Sequence, residues 1–165
     1  MARQEIPATT AVRFLTTHAI PFEPLFYKYE EHGGTGRASS ELHVPEHAVI
    51  KTLVFETDAR QPLLVLMHGD CEVSTKQLAR ILDVKHVSPC DPGAAHRHTG
   101  YVVGGISPFG TRSALPIYVE ATILSLPTIY INGGKRGFLV AVDPRAVQEH
   151  LSITPVDVAI PENRG

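Results

Sequence analysis

Two apolar runs separated by five residues constrain this chain more than any other feature. "VIKTLVFE" (49–56) and "PLLVLMHG" (62–69) each carry more apolar residues than simple alternation requires. Each therefore reads as a strand covered on both faces. The link "TDARQ" (57–61) is short enough for a hairpin. A strand pair buried on both sides needs layers above and below it, and 165 residues suffice for one such domain with one core. The expectation is a single domain over 1–165, its core running from about 9 to 158.

The flanking sequence supplies those layers. Thr9 or Thr10 caps a helix carrying Val12, Phe14, Leu15 and Ala19, stopped by Pro21. "PFEPLFYKY" reads as a short strand, and Pro24 sends it to an edge. "EEHGGTGR" reads as a loop, "ASSELHV" as a short helix, and "PEHAVI" as another with Pro45 in its first turn. Ser74 caps "STKQLARILDV", which places Leu78, Ile81 and Leu82 at helical spacing. "KHVS" is a short strand and "DPGAAHRHTG" a short helix or turn. "IYVEATI", "TIYINGG" and "FLVAV" are strands, with a turn expected at "NGG" (132–134). "DPRAVQEHL" is a helix with an aspartate cap and proline in its first turn, and "TPVDVAI" a last strand. Strands and helices mix without a regular βαβ repeat. The fold class is α+β: a mixed, mainly antiparallel, curled, barrel-like sheet flanked by helices.

Several function classes drop out. No run of about 18 apolar residues offers a membrane span. The start "MARQEIPATTAVRFL" lacks the apolar stretch of a secretory signal, so the cytoplasm is expected. Cys71 and Cys90 cannot make a disulfide framework or a cysteine-rich zinc site. His96 and His98 would share a face on a strand, but no third ligand is spaced to join them, so no metal and no cofactor is expected. Net charge is −2, so any contact with nucleic acid is small and local.

Three stretches remain that could carry chemistry. Lys51 interrupts the apolar run 49–56, where it either snorkels to water or grips an anionic or polar group from a rigid strand. "HTGYVVGGISPFG" (98–110) breaks a strand-like run at Gly104-Gly105 and stops it at Ser107-Pro108. It matches neither a dinucleotide fingerprint nor a P-loop. Paired glycines make a bulge or tight turn, or let main chain approach a ligand with N–H groups facing an oxyanion. "NGGKRG" (132–137) sets Lys135 and Arg136 on a turn, either as solvated charges or as phosphate contacts at a pocket mouth.

Together, "KTLVFE", "HTGYVVGGISPFG" and "TIYINGGKRG" resemble the YbaK-type deacylases, free-standing relatives of the editing domain inserted in bacterial prolyl-tRNA synthetases. Order and spacing match from about residue 10 to residue 158. The resemblance implies the YbaK/prolyl-tRNA synthetase-associated fold and removal of cysteine from Cys-tRNA(Pro), with the substrate thiol or water attacking the ester. It assigns catalysis to Lys51, Gly104 and Gly105. Substrate binding falls to Ile106, Ser107, Pro108, Gly133, Gly134, Lys135 and Arg136, with Gly137 completing the second glycine loop. A tyrosine at the end of the first strand also belongs to the pattern; Tyr27 and Tyr29 both qualify. The implied partners are the acceptor end of aminoacylated tRNA(Pro) and prolyl-tRNA synthetase. The alternatives are a deacylase for Ala-tRNA(Pro) or a related mischarged tRNA, and a module that binds tRNA or the synthetase without hydrolysis.

Overall fold

The computed structural model describes residues 5–162. Helix α1 (Thr10–Thr17) starts at Thr9, whose hydroxyl accepts from Val12 N (3.1 Å). Strand β1 (Glu23–Phe26) and helix α2 (Gly34–Leu42) follow, then a 3₁₀ turn, Glu46–Ala48. The two founding strands are β2 (Val49–Thr57) and β3 (Pro62–His68), followed by β4 (Cys71–Val73) and helix α3 (Thr75–Leu82). Next come β5 (Val87–Pro89), α4 (Pro92–Thr99), β6 (Ile117–Glu120), β7 (Ile129–Lys135), β8 (Phe138–Val142), α5 (Pro144–His150), β9 (Ile153–Val156) and β10 (Ala159–Pro161).

The main sheet runs β1-β8-β7-β2-β3-β6-β9, with β5 pairing a second stretch of β2, and β4 pairs β10 separately. β2 and β3 form the expected antiparallel hairpin, from Ile50 opposite His68 to Glu56 opposite Pro62. Five strand pairs are antiparallel: β1–β8, β2–β3, β2–β5, β7–β8 and β4–β10. Three are parallel: β2–β7, β3–β6 and β6–β9. The hairpin is buried on both faces, as its composition requires. Ile50, Val54, Leu64 and Leu66 enter the larger core with Leu15 of α1, while Phe55, Leu63, Val65 and Met67 pack with Leu78 of α3. Burying each such side chain stabilises by about 1.5–3 kcal/mol. Pro24 lies in an edge strand, where its missing N–H costs no ladder bond.

Several local expectations change. The strand expected over "IYVEATI" ends at Glu120 and gives way to a 3₁₀ turn over Ala121–Ser125, and "TPVDVAI" divides between β9 and β10, which join different sheets. The turn expected at "NGG" lies at Arg136–Gly137, between Lys135 and its partner Phe138, and 132–134 is instead a bulge within β7. There Asn132 Oδ1 accepts from Gly134 N (2.6 Å) and Lys135 N (3.1 Å), so the side chain satisfies the bulged main chain without reversing it. Helix α2 begins inside the expected loop, at Gly34, because Thr35 is tied to Glu46 Oε2 (2.8 Å) and Gly69 O (3.0 Å). Ile81 is exposed, so the buried face of α3 rests on Leu78 and Ala79. His96 and His98 lie on helix α4, where positions two apart do not face each other.

Candidate functional site

The site begins with an interruption in sheet pairing. β3 accompanies β2 along one edge from Ile50 to Glu56. On the other edge β7 pairs only with Val49 and Ile50, and β5 only with Phe55–Thr57. Between them 51–54 has no strand partner on this edge among the described residues, and a cavity of about 780 Å³ opens there. It is lined by β2, by Tyr27 and Tyr29 beyond β1, by Gly104 and Ile106, and by Asn132, Arg136 and Cys90. Such a concave, largely apolar hollow with a few convergent polar groups suits a small polar ligand.

Backbone parity decides what β2 offers. Cys90 N donates to Val54 O (3.0 Å), so Val54 turns its main-chain groups toward the gap. In an antiparallel pair every second residue does the same, which brings the N–H and C=O of Thr52 to the cavity edge. Its hydroxyl is buried, with no hydrogen-bond partner among the described residues. Sequence reasoning passed over Thr52; a polar side chain inside an apolar strand was the available signal.

The same parity turns Lys51 toward the face of Leu53 and Phe55. Lys51 lines the cavity, yet its ammonium donates to Cys71 O (2.8 Å) and to Glu162 Oε1 (2.7 Å). The side chains of this ion pair are 21% and 23% exposed.

The two glycine segments meet each other. Gly104 has φ +93°, and a Cβ there would lie 2.8 Å from Tyr29 Oη and 3.2 Å from Arg136 Nε. A Cβ on Gly105 would lie 2.9 Å from Arg136 N and 3.0 Å from the Lys135 carbonyl carbon. Only bare main chain permits this approach. Asn132 Nδ2 donates to Gly104 O (3.1 Å) and Arg136 Nε to Val103 O (2.9 Å), locking the segments together. The Arg136 guanidinium sits 5.1 Å from the centroid of the Tyr29 ring, a cation–π contact. Asn132 is thus a second residue the sequence reading missed, because "NGG" looked like a turn.

The expected site residues therefore divide. Lys51, Tyr27, Tyr29, Gly104, Ile106 and Arg136 surround the cavity, and both tyrosines line it. Gly105 donates its N–H to Val102 O (2.8 Å). Ser107 is fully buried and its Oγ accepts from Phe109 N (3.2 Å); Pro108 is buried beside it. Gly133 and Gly134 form the bulge, and Gly133 O accepts from the Thr9 hydroxyl (2.6 Å). Lys135 is exposed and borders a separate hollow of about 330 Å³ with Phe26 and Pro7.

Two half-buried groups of the wall are held in their neutral forms. Burial, then neighbouring Tyr29, pushes the Tyr27 phenol up. Burial, then Glu56, pushes the Cys90 thiol up to about 11. Glu31 and His32 line the cavity from exposed positions.

Comparison with known families decides what kind of site this is. The model of the aminoacyl-tRNA editing domain matches residues 33–150, which include both glycine segments and Lys51. The chain belongs to that family. This editing domain is an aminoacyl-tRNA deacylase, as the sequence resemblance implied. It is 27% identical over 147 residues to the "Putative Cys-tRNA(Pro)/Cys-tRNA(Cys) deacylase EbsC" of Enterococcus faecalis, covering 88% of each chain. It is 32% identical over 104 residues to a proline–tRNA ligase of Moorella thermoacetica, covering 62% of this chain but 18% of the ligase. The fold matches the crystal structure of hypothetical protein APE2540, with a TM-score of 0.83 at 22% identity over 92% of this chain and 99% of that one. It also matches "a putative trans-editing enzyme for prolyl tRNA synthetase", with a TM-score of 0.79 at 20% identity over 96% and 100%. Among the described residues no helix is long and apolar enough to cross a membrane.

Proposed function

We propose that this editing domain removes cysteine from Cys-tRNA(Pro), and that the cavity at the break in β2 receives the aminoacyl end. The observation that carries this reading is the convergence on one hollow of two main-chain surfaces, the Thr52 edge of β2 and the Gly104 loop, with the Asn132 side-chain amide that clamps the loop. An aminoacyl ester needs positioning and an oxyanion donor more than it needs a strong side-chain base. The Gly105 N–H is committed to Val102 O. The oxyanion role expected of the glycine pair therefore falls to Gly104.

Cysteine brings its own nucleophile. Its sulfur forms a bond to the ester carbonyl carbon, the bond from that carbon to the ribose oxygen breaks, and the thiol proton ends on that oxygen. The products are a four-membered cyclic thioester and tRNA with a free 3′ hydroxyl. A free thiol ionises near 8.5, so a useful thiolate fraction exists at neutral pH. The Lys51 ammonium favours the anionic end of the substrate, exchanging Glu162 for it on binding. Arg136, stacked on Tyr29 at the cavity wall, meets a phosphate of the acceptor end. The name of the Enterococcus relative supports the choice of cysteine. The partners in this reading are tRNA(Pro) and prolyl-tRNA synthetase, in the cytoplasm.

The test is deacylation of Cys-, Ser- and Ala-tRNA(Pro) and of Cys-tRNA(Cys). Cys-tRNA(Pro) is expected to lose its amino acid, while the serine ester, alike in shape but without sulfur, persists. Equal release of serine removes the thiol mechanism, and preferred release of alanine reassigns the substrate.

A further inference from the structure

We infer that His47, Asp70 and Cys71 form a divalent transition-metal site of the zinc type, separate from the editing cavity. Among the described residues these three ligand side chains converge, with Nδ1, a carboxylate oxygen and Sγ all within 4.8 Å of one another. None of the three lines the 780 Å³ cavity. They come from two segments that the fold presses together: the 3₁₀ turn Glu46–Ala48, and Asp70 with Cys71, where the connection from β3 enters β4.

The distances suit a small cation. Bond lengths of about 2.1 Å to N or O and 2.3 Å to S, at tetrahedral angles, separate N from O by roughly 3.4 Å and O from S by roughly 3.6 Å. Here Asp70 Oδ1 lies 3.6 Å from Cys71 Sγ and 2.8 Å from His47 Nδ1. The His47 ring therefore needs to shift by about half an ångström, sliding across the His68 ring it stacks on from a half-exposed position. Imidazole, carboxylate and thiolate together favour zinc-type ions over magnesium or calcium. Three protein ligands leave one position open for water. The Cys71 thiol releases its proton to solvent as the metal–sulfur bond forms, and the two anionic ligands then balance a dication.

The support around these ligands is already built. The ring of His68 stacks on His47 at 3.7 Å and 6°. His68 Nδ1 donates to the His47 carbonyl (2.7 Å), while its Nε2 accepts from the Thr122 hydroxyl (2.7 Å). Gly69 lets the two segments touch: a Cβ there would lie 2.6 Å from Glu46 O and 2.7 Å from Val49 O. Outer contacts of this kind hold metal ligands in orientation. The nearby cation, Lys51, bonds the Cys71 carbonyl and is paired with Glu162, which limits its repulsion of a dication.

The experiment titrates cobalt(II) into the reduced, chelator-stripped full chain. A thiolate-to-cobalt absorption band in the near ultraviolet is expected to saturate at one equivalent and to vanish when zinc is added. Cys71→Ser and His47→Ala should each weaken binding by about tenfold or more, and Cys90→Ser should not. His47 is exposed, so His47→Ala remains informative if Cys71→Ser folds poorly; far-ultraviolet circular dichroism identifies that case. No band in the wild type, or equal affinity in a folded His47→Ala variant, overturns the assignment. Because the readout is spectroscopic, loss of deacylase activity alone does not bear on it.

Discussion

Replacing Thr52 by valine tests the cavity through two observables with opposite expected signs. The Thr52 hydroxyl is buried and bonds no group among the described residues. Removing a hydroxyl from water without a compensating bond costs about 1–3 kcal/mol. Valine keeps the branched shape and the strand preference while removing that group. Thr52→Val should therefore stabilise the domain by about 1–2 kcal/mol, which for a chain of this size raises Tm by about 2–8 °C. If the hydroxyl instead meets the bound aminoacyl end, the variant loses one neutral hydrogen bond, about 0.5–1.5 kcal/mol. That predicts a fall in kcat/KM of about 2- to 12-fold. The assays are thermal unfolding and single-substrate deacylation on the same preparation. A lower Tm with unchanged kcat/KM refutes the reasoning, because it means that the hydroxyl stabilises the fold and does not touch substrate.

Other perturbations probe the parts that hold the cavity. Gly105→Ala drives a Cβ against the main chain of Lys135 and Arg136; overpacking of this kind costs about 1–3 kcal/mol, so Tm should fall by about 2–12 °C, and an unchanged Tm shows that the two glycine segments separate easily. Lys51→Ala should lose most deacylation, whereas Glu162→Gln, which removes the opposing charge while Cys71 O still accepts from the ammonium, should retain it; equal loss in both assigns the ion pair a purely structural job. Burial first, with the neighbouring His47 ring adding to it, holds the His68 pKa below the ordinary histidine value. The unfolded chain thus binds the proton more readily, and the stability His68 contributes is present above about pH 6.5 and lost as pH falls through its folded pKa. Urea unfolding at pH 7.5 and 5.5 should show this loss, and His68→Asn should reduce it.

The elements were legible in the chain where their causes are local. Thr9, Ser74, Asp91 and Asp143 cap the helices that follow them. The two apolar runs became the central hairpin, and Pro24 went to the edge. The glycine segments and Lys51 were recognisable as candidates because their motifs are continuous. Thr52 and Asn132 were not, since each reads locally as an ordinary strand or turn residue. Their importance depends on partners far along the chain, Gly104 for Asn132 and the β7–β5 gap for Thr52.

By itself, the sequence determined most of the helices and strands, that one strand pair must be covered on both faces, and which family the chain joins. Only the tertiary structure decided that β2 loses its partner on one edge between Ile50 and Phe55, that the Lys51 ammonium turns to Glu162, and that His47 meets Asp70 and Cys71. The physical reason is range. Capping and periodicity act within a few residues, so they are written locally. Pairing partner and strand parity are set across the sheet, and a shift of one residue sends every side chain to the opposite face.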